Sequence, residues 1–559
     1  MNSTLAGWLQ VALVVAALAA CYVPLGNWIA RIFTTDKHWR VERGVYKAIG
    51  VNPETDQKWS AYLRSMLAFS GVSVLFLYGL ERLQHYLLSF AGPNMANVPP
   101  ETAWNTAASF VTNTNWQNYS GESTMTYLTQ MSGLAVQNFM SAAVGIVVAI
   151  AMIRGFTRSR TDKLGNFWVD LTRCVFRLLL PLAVLAAIMF MAGGVVDNFV
   201  NYHTITTLSG GHQTVVGGPF ASQEAIKDLG NNGGGPFNAN SSHPYENPNP
   251  FTDWFTIFIL LVIPFATPRA FGKMVKDNRQ GLALVAVMVV IWLTAVGGIS
   301  LFQSMHTGST PGTAVVLAHG AMEGKEVRFG TPASSLFAAS TTVTSTGSVN
   351  SFHDSFTPFG GGIALFDIAL GEIAPGGVGA GMYGILVLAI VTVFVAGLMV
   401  GRTPEYIGKK IRPAEMKYAA LYFLTLPVII LTAAGLSIGT KVPQRSILNP
   451  GPHGLTEVMY AFASMANNNG SAFAGLTTAT PWYQTVGGTV MLIGRFAPEI
   501  FALGLAGSLA RQSPVPASAG TLDTRTPLFV GMLVAVILIL VGLTYFPALA
   551  LGPFAEGLH

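Results

Sequence analysis

Four short clusters of Thr, Ser, Asn and Gly recur along the chain, each led in by a moderately apolar stretch. They read TAASFVTNTNWQ, EAIKDLGNNGGG, AASTTVTSTGS and FASMANNNGS, and aligning their ends sets Asn115, Gly234, Gly347 and Gly470 in register, 119, 113 and 123 residues apart. The chemistry open to such residues is cation coordination by neutral oxygen. Hydroxyls, amide oxygens and backbone carbonyls can replace an ion's hydration shell, and glycine permits the positive φ angles that turn carbonyls toward an axis. The candidate ligands are Thr112, Asn113, Thr114 and Asn115 in the first cluster and Asn231, Asn232, Gly233 and Gly234 in the second. The third offers Thr344, Ser345, Thr346 and Gly347, and the fourth Asn467, Asn468, Asn469 and Gly470. None of these is a carboxylate. A divalent cation would favour a ring of Asp or Glu, so the set points to a monovalent ion. One such cluster is ordinarily a turn; four at near-equal spacing signal an internal repeat.

Loops of this kind need a scaffold, and composition says which. Of 559 residues, 51% are hydrophobic and 10% charged, with a mean hydropathy of +0.49. A soluble chain carries about 25% charge, so much of this one faces lipid. The net charge of +5 does not indicate nucleic acid, because no compact basic patch with interleaved aromatics is present. Ten stretches are long and apolar enough to span a membrane: 5–30, 65–87, 125–153, 178–196, 251–268, 281–303, 381–400, 418–438, 484–509 and 528–549. The first is read as an uncleaved span, since its first basic residue, Arg31, follows the apolar run instead of preceding it.

The linkers alternate in kind. Those after spans 1, 3, 5, 7 and 9 hold 24 of the 31 Lys and Arg residues, which puts them in the cytoplasm and both termini outside. The four clusters lie in the other linkers, each between two spans. Irregular backbone at membrane depth is tolerated only where it is buried in protein or lines a watery cavity. The stretch before each cluster, such as 334–341, suits a two-turn pore helix whose C-terminal dipole end faces the cation. The expected fold is an all-α membrane protein, ten transmembrane helices with four span–pore-loop–span repeats around a central pore. The segments are 1–60 (first span and cytoplasmic loop), 61–155, 156–270, 271–402 and 403–512 (the repeats), and 513–559 (last span).

Several residues outside the clusters also bear on function. Gln117 follows the first cluster closely and belongs at the pore entrance. Arg495 lies within the ninth span, where a charge costs several kcal/mol unless paired or wetted. Glu499, one turn on, is a structural partner for it; the functional alternative is a fixed positive charge limiting how far a cation passes. The segment APGGVGAG at 374–381, with Gly376 and Gly377, is too glycine-rich for a stable helix. It is either a loose hinge or a gating loop beneath the filter. Cys21 and Cys174 read as small core residues. His203, His212, His243, His353 and His453 fall in the linkers without ligand spacing and read as surface or capping residues. The chain has no DKTGT, no phosphate-binding G-x-x-x-x-G-K-[ST] loop and no linker long enough for a nucleotide-binding domain. It is therefore expected to bind no nucleotide and to catalyse no hydrolysis by itself.

Longer motifs surround the clusters: SFVTNTNWQNYSGE (109–122), NGGGPFNANSSHPYENP (232–248), MEGKEVRFG (322–330), GRTPEYIGKKI (401–411), NPGPHG (449–454), ANNNGSAFAGL (466–476) and PALALGP (547–553). With these the chain resembles, over nearly its whole length, the potassium-binding A subunits (KdpA) of the Kdp potassium pump. That family belongs to a superfamily of potassium transporters built from four span–pore-loop–span units. The resemblance implies a potassium ion selected at the four loops and passed to a separate P-type ATPase, the catalytic B subunit of the pump. It also implies an accessory C subunit, a small single-span subunit as a further candidate partner, and residence in the bacterial inner membrane. Family members often carry cysteine where Thr346 stands; a hydroxyl there keeps an oxygen near the pathway. The competing reading is a self-contained channel or secondary transporter of the four-loop type. A membrane enzyme would need paired carboxylates or metal ligands at one depth, and the sequence shows none.

Overall fold

The computed structural model describes residues 3–305, 320–399, 401, 404–516 and 521–558. Val400, which closes the seventh expected span, and Arg402, one of the basic loop residues, lie outside the described residues. Among the described residues ten helices are long and apolar enough to cross a membrane: Leu5–Thr34, Trp59–Tyr86, Thr129–Thr157, Phe167–Ala192, Pro250–Met274, Asn278–Ser304, Ala380–Met399, Pro413–Gly439, Pro481–Arg511 and Pro527–Leu558. Each overlaps an expected span. The fifth runs on past the expected end at 268, because Pro264 and Pro268 sit inside the helix without ending it. Neighbouring helices make such prolines tolerable at membrane depth.

Burial separates these spans into two kinds. The third, fifth, seventh and ninth are 83%, 89%, 72% and 67% buried over their apolar windows, whereas the first, second and tenth are 22%, 22% and 28% buried. The well-buried ones are those that follow a pore loop. In each span–loop–span unit the second span thus belongs to the protein interior and the first turns leucine and valine outward, as Leu75 and Val72 do in the second span. Span 1 packs along span 5, and span 10 against spans 6 and 7.

A short helix precedes each cluster: Pro100–Val111, Phe220–Leu229, Gly330–Val343 and Pro452–Ala466. Three of these carry proline in the first turn, where the missing N–H costs nothing. The third is 14 residues long, nearly twice the expected 334–341. Strand content among the described residues is confined to three two-stranded ribbons, of which His203–Thr206 with His212–Val215 is an exposed hairpin. Cys21 and Cys174 are free thiols, the second of them buried.

Candidate functional site: a ring of four loops

Each pore helix ends in the same hydrogen-bond pattern. The N–H of Thr114 reaches Ser109 O at 2.9 Å, that of Asn232 reaches Lys227 O at 2.9 Å, Thr346 reaches Thr341 O at 2.9 Å, and Asn469 reaches Ser464 O at 2.8 Å. The residue just before each donor is left-handed: Asn113, Asn231, Ser345 and Asn468 have φ of 68°, 49°, 48° and 50°. Asparagine tolerates this region better than other side chains, so three of the four positions carry it. This shared geometry fixes the register of the repeat. Asn115 corresponds to Gly233, Gly347 and Gly470, and the second loop spans 230–233. The register expected from the cluster ends, with Gly234 in this place, is one residue too far along. Three consecutive glycines at 233–235 allow either alignment by residue type; only the helix-capping bonds decide between them. Gly230 therefore joins the ring, and Gly234 stands just beyond it.

The loops are joined at every seam. Asn113 Nδ2 donates to the carbonyls of Gly230 (3.1 Å) and Asn231 (2.8 Å), linking loop 1 to loop 2. Asn231 Nδ2 donates to Thr346 Oγ1 at 2.7 Å, linking loop 2 to loop 3. Asn468 Nδ2 donates to Thr114 Oγ1 at 2.8 Å, linking loop 4 to loop 1. The equivalent Ser345 in loop 3 is short; that seam is closed from the other side, where Asn469 Nδ2 donates to Thr341 O at 3.2 Å. At two seams the backbones press so close that only glycine fits. A Cβ on Gly347 would collide with Asn469 O, and one on Gly470 with Thr114 O. Gln117 clips the mouth of the ring. Its Oε1 accepts from Gly235 N–H at 2.9 Å and its Nε2 donates to Gly235 O at 3.2 Å.

All the side chains of the ring are buried. Among the described residues Asn115 Oδ1, Asn231 Oδ1 and Asn467 Oδ1 have no hydrogen-bond partner, although a buried acceptor left unpaired costs about 1–3 kcal/mol. The four pore helices all end at the ring, each bringing a partial negative charge of about half a unit at its C-terminus. Buried neutral oxygens backed by four negative helix ends suit a desolvated monovalent cation.

Residues from the inner spans, outside the four clusters, support the ring. Asn138 Oδ1 accepts from Asn115 Nδ2 at 2.6 Å, and its carbonyl accepts from Asn232 Nδ2 at 3.1 Å. Ser141 Oγ donates to Asn113 Oδ1 at 2.7 Å. Both lie one helical turn apart in span 3, a polar face inside an apolar helix that is their signal in the sequence. Behind loops 1, 3 and 4 stand Ser109, Thr341 and Ser464. Ser109 Oγ donates to Trp116 O at 2.9 Å, Thr341 Oγ1 accepts from Gly347 N–H at 3.0 Å, and Ser464 Oγ accepts from Gly470 N–H at 3.1 Å. Behind loop 2 the same position is Lys227, wholly buried, with Nζ 2.5 Å from Glu224, 4.0 Å from Glu246 and 2.9 Å from Ser241 Oγ.

Beneath the ring lie the remaining two expected features. Arg495 is buried with Nε 2.9 Å from Glu499 Oε1 and Nη1 3.4 Å from Glu372 Oε2. The partner one turn along is thus present, and Glu372, distant in sequence, is a second. Arg495 Nη2 also donates to Ser141 O at 3.4 Å, so one residue touches both the arginine and loop 1. The glycine segment packs directly under loop 3: Gly376 N–H donates to Val343 O at 2.9 Å, and a Cβ on Gly377 would meet Thr344 O at 3.2 Å.

The histidines divide. His203 and His212 are exposed, as expected. His353 is buried and bonded to Tyr460 OH at 2.7 Å. His453 is surrounded by carboxylates from distant parts of the chain. These two correct the surface reading, because the partners that enclose them are about a hundred residues away.

The sequence profile of the family described as "Potassium-transporting ATPase A subunit" matches residues 12–558. Among similar proteins, a potassium-transporting ATPase potassium-binding subunit of Mycolicibacterium vanbaalenii is 57% identical over 560 residues, covering 100% of both chains. Subunits of the same name from Streptomyces avermitilis and Frankia alni are 56% and 55% identical, again over 100% of both chains. Among solved structures, the potassium transporter TrkH from Vibrio parahaemolyticus superposes with a TM-score of 0.53 at 16% identity, covering 89% of this chain and 96% of that one. That likeness extends the shared fold to a distant sequence. On the full-length match and the identities above 50%, this chain belongs to the family of potassium-transporting ATPase A subunits.

Proposed function

We propose that this chain is the potassium-selective binding and translocation subunit of an ATP-driven uptake pump, with the ring of four loops as its selectivity filter. The observation that carries the reading is the closure of the ring: side chains join the loops at three seams, and at the fourth Asn469 joins loop 4 to the helix that ends in loop 3. A frame so joined holds its oxygens at a set spacing, which is what discrimination between ions of equal charge and different radius requires. The filter residues are those at 112–115, 230–233, 344–347 and 467–470, with Gln117 and Gly234 at the entrance. Potassium is the transported substrate, and the chain itself binds no nucleotide.

The topology follows the basic loops: these lie in the cytoplasm of a bacterial inner membrane, and the pore-loop linkers and both termini lie outside. Potassium enters from outside, loses its water to the ring, and meets Arg495 below. A guanidinium held by Glu499 and Glu372 is a fixed cation in the path, and the glycine segment at 374–381 is the element whose position decides passage beside it. The ion is delivered to a separate P-type ATPase, the catalytic B subunit, while the accessory C subunit and a small single-span subunit complete the assembly. The repeats are bounded as the sequence suggests, at 61–155, 156–270, 271–402 and 403–512.

Reconstitution tests the division of labour. The isolated chain should hydrolyse no ATP, and the complex should show hydrolysis that rises with potassium. ATP-independent potassium flux through the isolated chain in liposomes, at the rate of the full complex, would replace this reading with that of a self-contained channel.

A further inference from the structure

His453, in the first turn of the fourth pore helix, is enclosed by three carboxylates. Its Nε2 lies 2.9 Å from Asp354 Oδ1 and 3.9 Å from Glu457 Oε1, and its Nδ1 lies 2.9 Å from Glu556 Oε1. Glu457 follows one turn along the same helix. Asp354 comes from the turn His353–Ser355. Glu556 comes from the closing turn Ala555–Leu558, swung back by a break in the tenth span at Gly552, where ψ is −105°. The ligand atoms of Asp354, His453 and Glu457 all lie within 4.8 Å of one another.

Two further observations point to a ligand. Glu457 is completely buried; its Oε1 accepts from Asn449 Nδ2 at 2.6 Å, and its Oε2 has no hydrogen-bond partner among the described residues. Across from it Gly475 leaves the space that the carboxylates use: a Cβ there would collide with Glu457 Oε1 and stand 2.8 Å from Asp354 Oδ1. Two carboxylates are thus brought to one point, one of them with a buried oxygen left over.

We propose that Asp354, His453 and Glu457 form a binding site for a transition-metal dication of the zinc class, with Glu556 orienting the imidazole. A tetrahedral ion with bonds of about 2.0–2.1 Å sets its ligand atoms roughly 3.3 Å apart. The 2.9 and 3.9 Å separations around Nε2 bracket that value. A metal-bound histidine ordinarily gives its other ring nitrogen to a carboxylate, which fixes the tautomer and the ring orientation; Glu556 at Nδ1 is placed for this. One imidazole with two carboxylates is a zinc or manganese ligand set, whereas calcium takes six to eight oxygens.

The site fastens the C-terminal turn and the His353–Ser355 turn to the helix that delivers the fourth filter loop. From that turn a second chain of contacts reaches the loop. His353 Nδ1 bonds Tyr460 OH at 2.7 Å, and Tyr460 OH bonds Ser471 Oγ at 2.8 Å, immediately after Gly470. An ion on Asp354 would hold both routes in place.

The test is calorimetric titration of the purified full-length chain with zinc chloride, paired with zinc X-ray absorption on the loaded protein. One equivalent should bind, with imidazole and oxygen in the first shell. D354N and E457Q should each lose affinity by more than tenfold, and E556Q by about 10–100-fold, as for other groups that orient a metal-bound histidine. Failure of the parent protein to bind zinc at micromolar concentration would overturn the proposal. So would unchanged affinity in D354N and E457Q, or a first shell without imidazole; each result would leave an ion-pair cluster only. Should those variants fail to fold, the absorption spectrum of the parent protein decides alone.

Discussion

Behind three of the four loops of the ring stands a bracing hydroxyl, and behind the second stands a lysine. Ser109, Thr341 and Ser464 each sit five residues before the donor that caps the pore helix, and each bonds backbone one or two residues beyond that donor. Lys227 occupies the equivalent place, within 4.0 Å of both Glu224 and Glu246 and bonded to Ser241. Ser241 in turn bonds Ser348 at 2.8 Å, next to Gly347 of the third loop. The fold therefore demands a brace at this position, and two chemistries meet the demand at different cost. A hydroxyl brace needs only a backbone partner. An ammonium brace needs carboxylates, which are themselves costly once buried, and it reaches further: through Ser241 it ties the second pore helix to Ser348, just past loop 3.

The contrast between the two braces is tested most severely by removing the ammonium. Lys227→Met leaves Glu224 and Glu246 buried without their counter-charge, a loss of about 3–5 kcal/mol, read as a fall in thermal unfolding temperature with impaired assembly. An effect no larger than that of the hydroxyl variants below would show that the lysine is not a brace.

Next in size is Gly233→Asp. Gly233 lies against Gly347, with its Cβ position 3.0 Å from Gly347 Cα. A carboxylate there adds both bulk and charge at a seam of the ring. The expected outcome is at least a tenfold rise in the potassium concentration for half-maximal uptake, about 1.4 kcal/mol, with weaker discrimination against sodium. Unchanged affinity and selectivity at normal expression would take loop 2 out of the pathway.

Smallest are Thr341→Val and Ser464→Ala. Thr341→Val removes the bond from Gly347 N–H, and Ser464→Ala removes the bonds to Gly470 N–H and Ser471 O; each lost bond should cost about 0.5–1.5 kcal/mol, with transport retained. Equal losses in the two would support a common role across repeats, whereas no loss in either would confine bracing to loop 2.

Much of this arrangement was legible in the sequence because membrane physics constrains it tightly. Apolar length marks spans, basic loops mark a side, and oxygen-rich clusters between spans mark re-entrant backbone. The ten helices and the four short pore helices follow from that. What escaped depended on contacts between distant residues. Gly234 was set in the place of Gly233 because glycine identity cannot distinguish neighbouring positions, while a bond from Asn232 N–H to Lys227 O can. Glu372 was missed as a partner of Arg495 because 123 residues separate them. Lys227 was visible, a charged residue in a segment expected to enter the membrane, and its buried carboxylates at 224 and 246 were visible with it. Their convergence was not.

The central claim is that the four loops together hold the transported ion. Thallium, which mimics potassium and scatters anomalously, tests it most directly in crystals of the assembled complex. The account predicts an anomalous peak enclosed by residues 112–115, 230–233, 344–347 and 467–470, displaced by excess potassium and not by sodium. A complex that transports thallium but shows no peak within that ring, or one that sodium displaces equally well, would contradict it.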